Sequence, residues 1–376
     1  PIKKNNPGIG IEKIRGRRGV ADDYRAQDSA AAVAKVIKIE EFNWRQGLKS
    51  PQSVREIDMQ YFTALMNSLI STRTVLLLAA ALFISPATAE PVKIVIGTSP
   101  IADVMPAFVA KEKGIFAKHG LDVTITLIPL NPTIPAALHS KSIQIGAPNA
   151  AVFIQAVDSG LDLQIVSGST TTPNMGAGIA YLTREDVPFD GARSLEGKKI
   201  IIPGLSSSVD VLFRKWLADK GVDERRVNFV EIPSAQSSDA LKGKTVDGAV
   251  AVEPFLTRIQ QSGTGKIAAR FMDGLADEKL GISFIATREW VAQNPEAAKN
   301  FAEAIAEAMN WANANQQEAR NLMQPYLSLP SAVLDAIPFP HMRDKVAPEA
   351  VAWWIDVMKS QGRLRSTLSP AKMIVR

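Results

Sequence analysis

The chain has no cysteine in 376 residues. Disulfide frameworks, thiolate zinc sites, iron–sulfur clusters and cysteine nucleophiles are therefore excluded. Histidine is nearly as scarce, with only three. His119, His139 and His341 are scattered without an i,i+4 pair, so neither a metal centre nor histidine-based catalysis is expected. A G-x-S-x-G nucleophile elbow is missing. Gly176-Ala177-Gly178 lacks the rest of a dinucleotide fingerprint, so no cofactor is expected.

Apolar runs are short, and the run Val75 to Ile84 falls well below the roughly 20 residues that span a bilayer. Its surroundings give it a different meaning. Met66 supplies a start, Arg73 a positive charge before the run, and Ala87-Thr88-Ala89 a small-residue cleavage site followed by Glu90. Residues 66–89 therefore read as a secretory signal peptide cleaved after Ala89, which directs the remainder to the periplasm. A lipoprotein anchor needs a cysteine and is excluded. Residues 1–65 are expected to be a non-native or disordered upstream extension. Their basic stretch, Ile11 to Arg18, has neither interleaved aromatics nor a binding motif, so no nucleic-acid partner is expected.

Charge divides at the same place. The formal net charge is +5, but residues 1–89 hold 13 Lys and Arg against 8 Asp and Glu, while the rest holds 30 of each. The exported part is neutral and gives no electrostatic reason to seek DNA or an anionic membrane as a partner.

From Glu90 onward, short β-branched runs alternate with helical stretches. Strands are expected at Val92–Gly97, Leu121–Ile128, Ile143–Gly146 and Leu163–Val166, with helices at Ile101–Lys113, Pro132–Ser140 and Ala150–Ser159 between them. This alternation predicts an α/β domain with parallel pairing. A second unit follows the Pro/Gly-rich stretch Pro173–Gly178. Its strands fall at Ile179–Thr183, Lys199–Pro203, Val227–Ile232 and Gly248–Val252, and its helices at Ser208–Lys220, Ala235–Lys242 and Pro254–Ser262. Ile282–Ala286 reads as a return strand, and Pro295–Asn315 and Ala350–Gln361 as helices that pack on the first unit. The expected division is a first lobe over 90–175, a second over 176–280, and a return to the first over 281–376. The two crossings, near 172–182 and 272–287, make a hinge.

Three segments carry a resemblance. KGIFAKHGLDV (113–123), SLEGKKI (194–200) and GKTVDG with VEPF (243–248 and 252–255) occur in the order and at the spacing of the nitrate/sulfonate/taurine-type periplasmic substrate-binding proteins of ABC importers. The resemblance covers about 92–360. It implies a two-lobed periplasmic-binding-protein type II fold, no enzymatic activity, capture of a small solute by hinge closure, and a permease in the inner membrane as partner. It also implies a monomer. Similar folds serve enzymes of thiamine-pyrimidine and menaquinone-precursor metabolism, which stand as the alternative, although the cysteine-rich motif of the former is missing.

The candidate ligand residues follow from topology. Ligands of open α/β sheets sit beyond the carboxyl ends of strands, at helix starts whose N–H groups are free. Small polar residues gather there: Thr98 and Ser99; Pro148 and Asn149; Ser169 and Thr170; and Gly204 with Ser206, Ser207 and Ser208. Asn131 follows the second strand. Hydroxyls and helix-start amides suit an oxyanion, so a small organic anion is expected, an aliphatic sulfonate first, with nitrate, bicarbonate and aromatic carboxylates also open. Glu253 is the acidic candidate, for a ligand ammonium or for a bond across the hinge. The family keeps a WEP-like motif here, and Val252 replaces its aromatic residue. Trp353-Trp354 and Trp311 read as packing residues.

Overall fold

The computed structural model describes residues 90–171, 177–275 and 278–375. The expected signal peptide and upstream extension lie outside them. Two five-stranded sheets organise these residues. The first joins β1 (Val92–Thr98), β2 (Leu121–Leu127), β3 (Ile145–Ala147), β4 (Leu163–Gly168) and β10 (Ser283–Thr287) in the order β2-β1-β3-β10-β4. The second joins β5 (Ile179–Thr183), β6 (Lys199–Ile202), β7 (Asn228–Glu231), β8 (Gly248–Val252) and β9 (Lys266–Ala269) in the order β7-β6-β8-β5-β9. The fold is α/β with one sheet per lobe.

Pairing is mixed rather than uniformly parallel. β1 runs parallel to β2 and β3, and β6 parallel to β7 and β8, whereas β5 and β10 run antiparallel to their neighbours. The crossings explain this. The chain leaves the first lobe at the carboxyl end of β4, so β5 enters the second sheet from the interlobe side and points the opposite way; β10 does the same on the return. The edge strand β9 has no counterpart in the sequence reading, because KIAA is short and its alternation too brief to stand out.

Seven helices bear on the site or its support: α1 (Met105–Glu112), α2 (Ile134–His139), α3 (Ala150–Asp158), α4 (Ser208–Asp219), α5 (Phe255–Gln261), α6 (Pro295–Ala314) and α7 (Pro348–Ser360). The long helix α6 packs on the first lobe. It buries Phe301, Ile305, Ala308 and Met309, and Phe301 meets Phe116 and Phe284 at ring-centroid distances of 5.5 and 5.4 Å. Fully burying one such side chain is worth about 1.5–3 kcal/mol. α7 buries Val351, Trp354 and Met358, and the Trp354 indole donates to the Leu280 carbonyl at 2.7 Å, which fastens the return crossing. Among the described residues, no helix is long and apolar enough to cross a membrane.

Candidate functional site

The strands β1, β6 and β8 end at the gap between the lobes, and α3 and α4 begin there. Between them lies a cavity of about 350 Å³. Its wall draws on both lobes and on a late segment: Ser99, Asp103, Asn131 and Asn149 from the first, Ser207, Ser208, Ser234 and Gln236 from the second, and Tyr326 from beyond α6. Most of the surface is apolar, with Ile179, Pro203, Val252, Phe255, Ile282 and Leu327 prominent. This matches the common build of a small-molecule pocket, an apolar hollow with a few placed polar groups. Lys, Arg and His contribute nothing to its wall among the described residues.

The polar floor is a hydrogen-bonded chain that crosses between the lobes. Asn131 donates from Nδ2 to Ser99 Oγ at 3.3 Å, and its Oδ1 accepts from the Asn149 backbone N–H and from Asn149 Nδ2, both at 2.9 Å. Asn149 is the N-cap of α3, its Oδ1 accepting from Val152 N–H at 3.2 Å. That oxygen also accepts from Ser208 N–H and Ser208 Oγ across the gap. Ala151 N–H donates to Ser208 Oγ, and Ala150 N–H to the Gly281 carbonyl. The first three amides of α3 are therefore all spent inside the protein, where the sequence reading expected free donors for an oxyanion.

Ser207 behaves differently. It stands at the N-cap of α4, where a serine normally accepts from the helix, yet it makes no side-chain cap bond. It is 3% exposed, and its Oγ has no hydrogen-bond partner among the described residues. A buried hydroxyl without a partner costs roughly 1–3 kcal/mol, and this one belongs to a residue of the cavity wall.

Five sequence candidates, Ser99, Asn131, Asn149, Ser207 and Ser208, share the cavity. The others lie away from its wall. Thr98 is fully buried and donates to the Ser99 carbonyl; Pro148 uses its carbonyl on Ser283 N–H. Ser169 Oγ donates to the Asp103 carbonyl at 2.6 Å, and Thr170 Oγ1 accepts from Ile282 N–H at 3.2 Å, so both brace the crossing. Ser206 adopts φ 64° and donates its N–H to Asp210 Oδ2 at 2.8 Å; it shapes the loop. Gly204 packs against the other lobe, and a Cβ placed on it would sit 2.9 Å from Pro132 Cδ.

Glu253 turns towards its own helix. Its carboxylate accepts from Thr257 N–H at 3.1 Å and Thr257 Oγ1 at 2.9 Å, over the start of α5, while its carbonyl accepts from Ala102 N–H of the first lobe at 3.3 Å. It lines a separate crevice of about 30 Å³ with Asp103, Thr170 and His341. Burial pushes the Glu253 carboxyl up to about 7, against the pull of the Thr257 bonds and the Arg270 charge, with Asp103 adding to the rise. Burial likewise raises Asp103 above the usual carboxylate range, opposed by a hydrogen bond from Thr170.

Asp103, Ser234, Gln236 and Tyr326 are wall residues that the sequence reading missed. Asp103 lies one turn past Thr98-Ser99-Pro100, so extending the strand-end rule into the following turn reaches it. Ser234 and Gln236 follow β7, a further strand end. Tyr326 comes from a distant segment and carries no local signal.

These features define a class, a two-lobed α/β protein of the binding-protein type with a cavity between the lobes. The fold agrees with solved structures. The alkanesulfonate-binding protein SsuA of Xanthomonas axonopodis pv. citri, solved bound to MOPS, aligns with a TM-score of 0.67 at 19% identity, over 77% of this chain and 99% of that one. The periplasmic nitrate-binding protein NrtA of Synechocystis PCC 6803 aligns with a TM-score of 0.63 at 18% identity, over 76% of this chain and 86% of its own. A protein of Brucella abortus (strain 2308), named as a binding protein, is 26% identical over 314 residues, 79% of this chain and 95% of that protein. The model of the NMT1-like family matches residues 87–327, and the chain belongs to that family.

Proposed function

We propose that the chain is the solute receptor of an ABC importer. It works in the periplasm as a monomer, captures a small organic solute between its lobes, and presents the closed form to a permease in the inner membrane. It carries out no chemistry on the solute. The observation that carries this reading is the interlobe cavity, whose wall both lobes share, Ser99, Asn131 and Asn149 from the first and Ser207 and Ser208 from the second. Rotation of the Ser207 side chain turns its buried, unpartnered hydroxyl towards a ligand oxygen and ties the second lobe to a solute resting on Ser99 and Asn131 of the first. Contacts made only in the closed state are what shift a hinge towards closure.

The solute is a small organic anion with an apolar body, an aliphatic sulfonate being the first choice. The apolar wall favours this over nitrate or bicarbonate: a water fills about 30 Å³ of liquid, and a four-atom anion would leave most of the hollow empty. Calorimetric titration with MOPS tests the reading through Ser207→Ala. The variant should bind up to about tenfold more weakly, the loss of one hydrogen bond, while the unliganded protein melts no lower. Unchanged affinity in the variant would remove Ser207 from the account.

A further inference from the structure

Helix α7 ends on a turn that carries a cation to the start of α4. Gly362 adopts φ 66°, and the amides of Gly362 and Arg363 return to the Lys359 and Met358 carbonyls, both at 2.9 Å, which is the pairing of a Schellman turn. The reversal lays Gln361 and Arg363 against the first turn of α4. Gln361 Nε2 donates to the Val211 carbonyl at 3.1 Å, Arg363 Nε donates to Gln361 Oε1 at 2.8 Å, and Arg363 Nη1 stands 3.9 Å from Asp210 Oδ2. Apolar packing continues beneath these bonds, where Val351, Trp354 and Met358 of α7 share one buried cluster with Val211 and Leu212 of α4. Trp354 also fastens α7 to Leu280, next to the wall residues Gly281 and Ile282. The helix therefore joins the return crossing to the helix that begins at the cavity.

These contacts converge on Asp210, whose side chain is 2% exposed. Its Oδ1 accepts from Arg214 Nε at 2.6 Å, and its Oδ2, the oxygen nearest Arg363, accepts from Ser206 N–H at 2.8 Å. Arg214 is shared, with Nη1 3.3 Å from Glu224 Oε1 and its guanidinium over the Phe229 ring. Ser206 holds a left-handed backbone, φ 64°, which a residue with a side chain keeps only where its surroundings fix it. The next two residues, Ser207 and Ser208, are on the cavity wall, whereas Asp210 and Arg363 are not.

We propose that Arg363 is a positioning residue for the solute loop: it holds the Asp210 carboxylate against Ser206 N–H and so sets the turn that presents Ser207 and Ser208 to the cavity. A carboxylate this deeply buried stays charged and in place when cations pair with it. Arg214 engages one oxygen, and Arg363 supplies the charge beside the other, which is the one that holds the loop. The inference rests on the receptor reading and adds to it a control of the solute site from outside the cavity.

Two readouts on the intact protein test it, one of them without solute. Amide exchange, resolved residue by residue by nuclear magnetic resonance, should be roughly three- to tenfold faster at Ser206 in Arg363→Gln than in the wild type, the range of one weakened hydrogen bond. The amides of the central strand β8 should keep their rates. Arg363→Lys, which retains the charge but loses the bond to Gln361, should stay close to the wild type. MOPS should bind Arg363→Gln more weakly by a similar factor, and in an Asp210→Asn background the same substitution should change neither rate nor affinity further. Ser206 exchange that ignores Arg363 overturns the inference even where the melting temperature falls, because Arg363 then supports stability alone. Faster exchange with unaltered MOPS affinity severs the loop from the solute and overturns it too. So does an effect of Arg363→Gln that persists undiminished in Asp210→Asn, since the arginine would then act by another route. A wild type that fails to bind MOPS counts against the sulfonate reading, and the exchange rates still decide the positioning role.

Discussion

Asn149 and Ser208 cap each other's helices across the gap between the lobes. Asn149 Oδ1 accepts from Ser208 N–H and from Ser208 Oγ, both at 3.0 Å, and Ser208 Oγ in turn accepts from Ala151 N–H at 3.1 Å. Each lobe therefore completes the start of a helix in the other, and separating the lobes leaves unpaired donors at both α3 and α4 unless water takes them. These interlobe bonds are made by the protein's own groups and need no solute.

Asn149→Ala should accordingly open the molecule. The loss of an N-cap alone costs about 1 kcal/mol, and here the same atom also holds the second lobe. Small-angle scattering on the unliganded variant should give a larger radius of gyration than the wild type, with a lower melting temperature. Equal radii would mean that the interlobe bond does not govern closure.

Gly204 offers the opposite handle, a wedge rather than a lost bond. A Cβ there would stand 2.9 Å from Pro132 Cδ, inside van der Waals contact, and Pro132 belongs to the other lobe. Gly204→Ala should leave each lobe folded and hold the two slightly apart. Binding of any solute that needs closure should weaken by about tenfold, roughly 1.4 kcal/mol, with little change in the far-ultraviolet circular dichroism. Undiminished affinity would show that the loop moves aside.

The α/β alternation, both crossings and the packing of α6 on the first lobe were legible because long periodic segments and β-branched runs report burial directly. Strand direction was less legible, since it depends on the side from which the chain enters each sheet. At the site, the strand-end rule reached Ser99, Asn149, Ser207 and Ser208, but it equally selected Thr98 and Ser169, whose hydroxyls turn to nearby carbonyls. Pattern alone cannot tell a serine that braces a loop from one that faces a cavity. Gln236 and Tyr326 reach the wall through tertiary packing, which local sequence does not encode.

Acidity should stabilise the fold through Glu253. Burial raises its carboxyl from the ordinary 4.5 to about 7, so the folded state holds a proton that the unfolded state releases earlier. The stabilising contribution is complete below about pH 4.5 and is lost as the pH rises through about 7. Buried Asp103 is shifted in the same direction. The melting temperature of the wild type should fall between about pH 5 and pH 8 more steeply than that of Glu253→Gln, whose side chain stays neutral throughout. Parallel pH profiles would refute a titrating Glu253 at the hinge.

Closure of the lobes on a small organic solute is tested most directly by a thermal-shift panel. The purified protein is melted alone and with sulfonates, aromatic carboxylates, amino acids, aminosulfonates, thiamine precursors, nitrate and bicarbonate. A ligand at 100 times its dissociation constant adds about 2.7 kcal/mol to stability, a shift well above the noise of such a measurement. The account predicts a clear rise with one class of organic solutes and none with nitrate or bicarbonate. A folded protein that responds to none of the organic solutes, or to the inorganic anions alone, would contradict it.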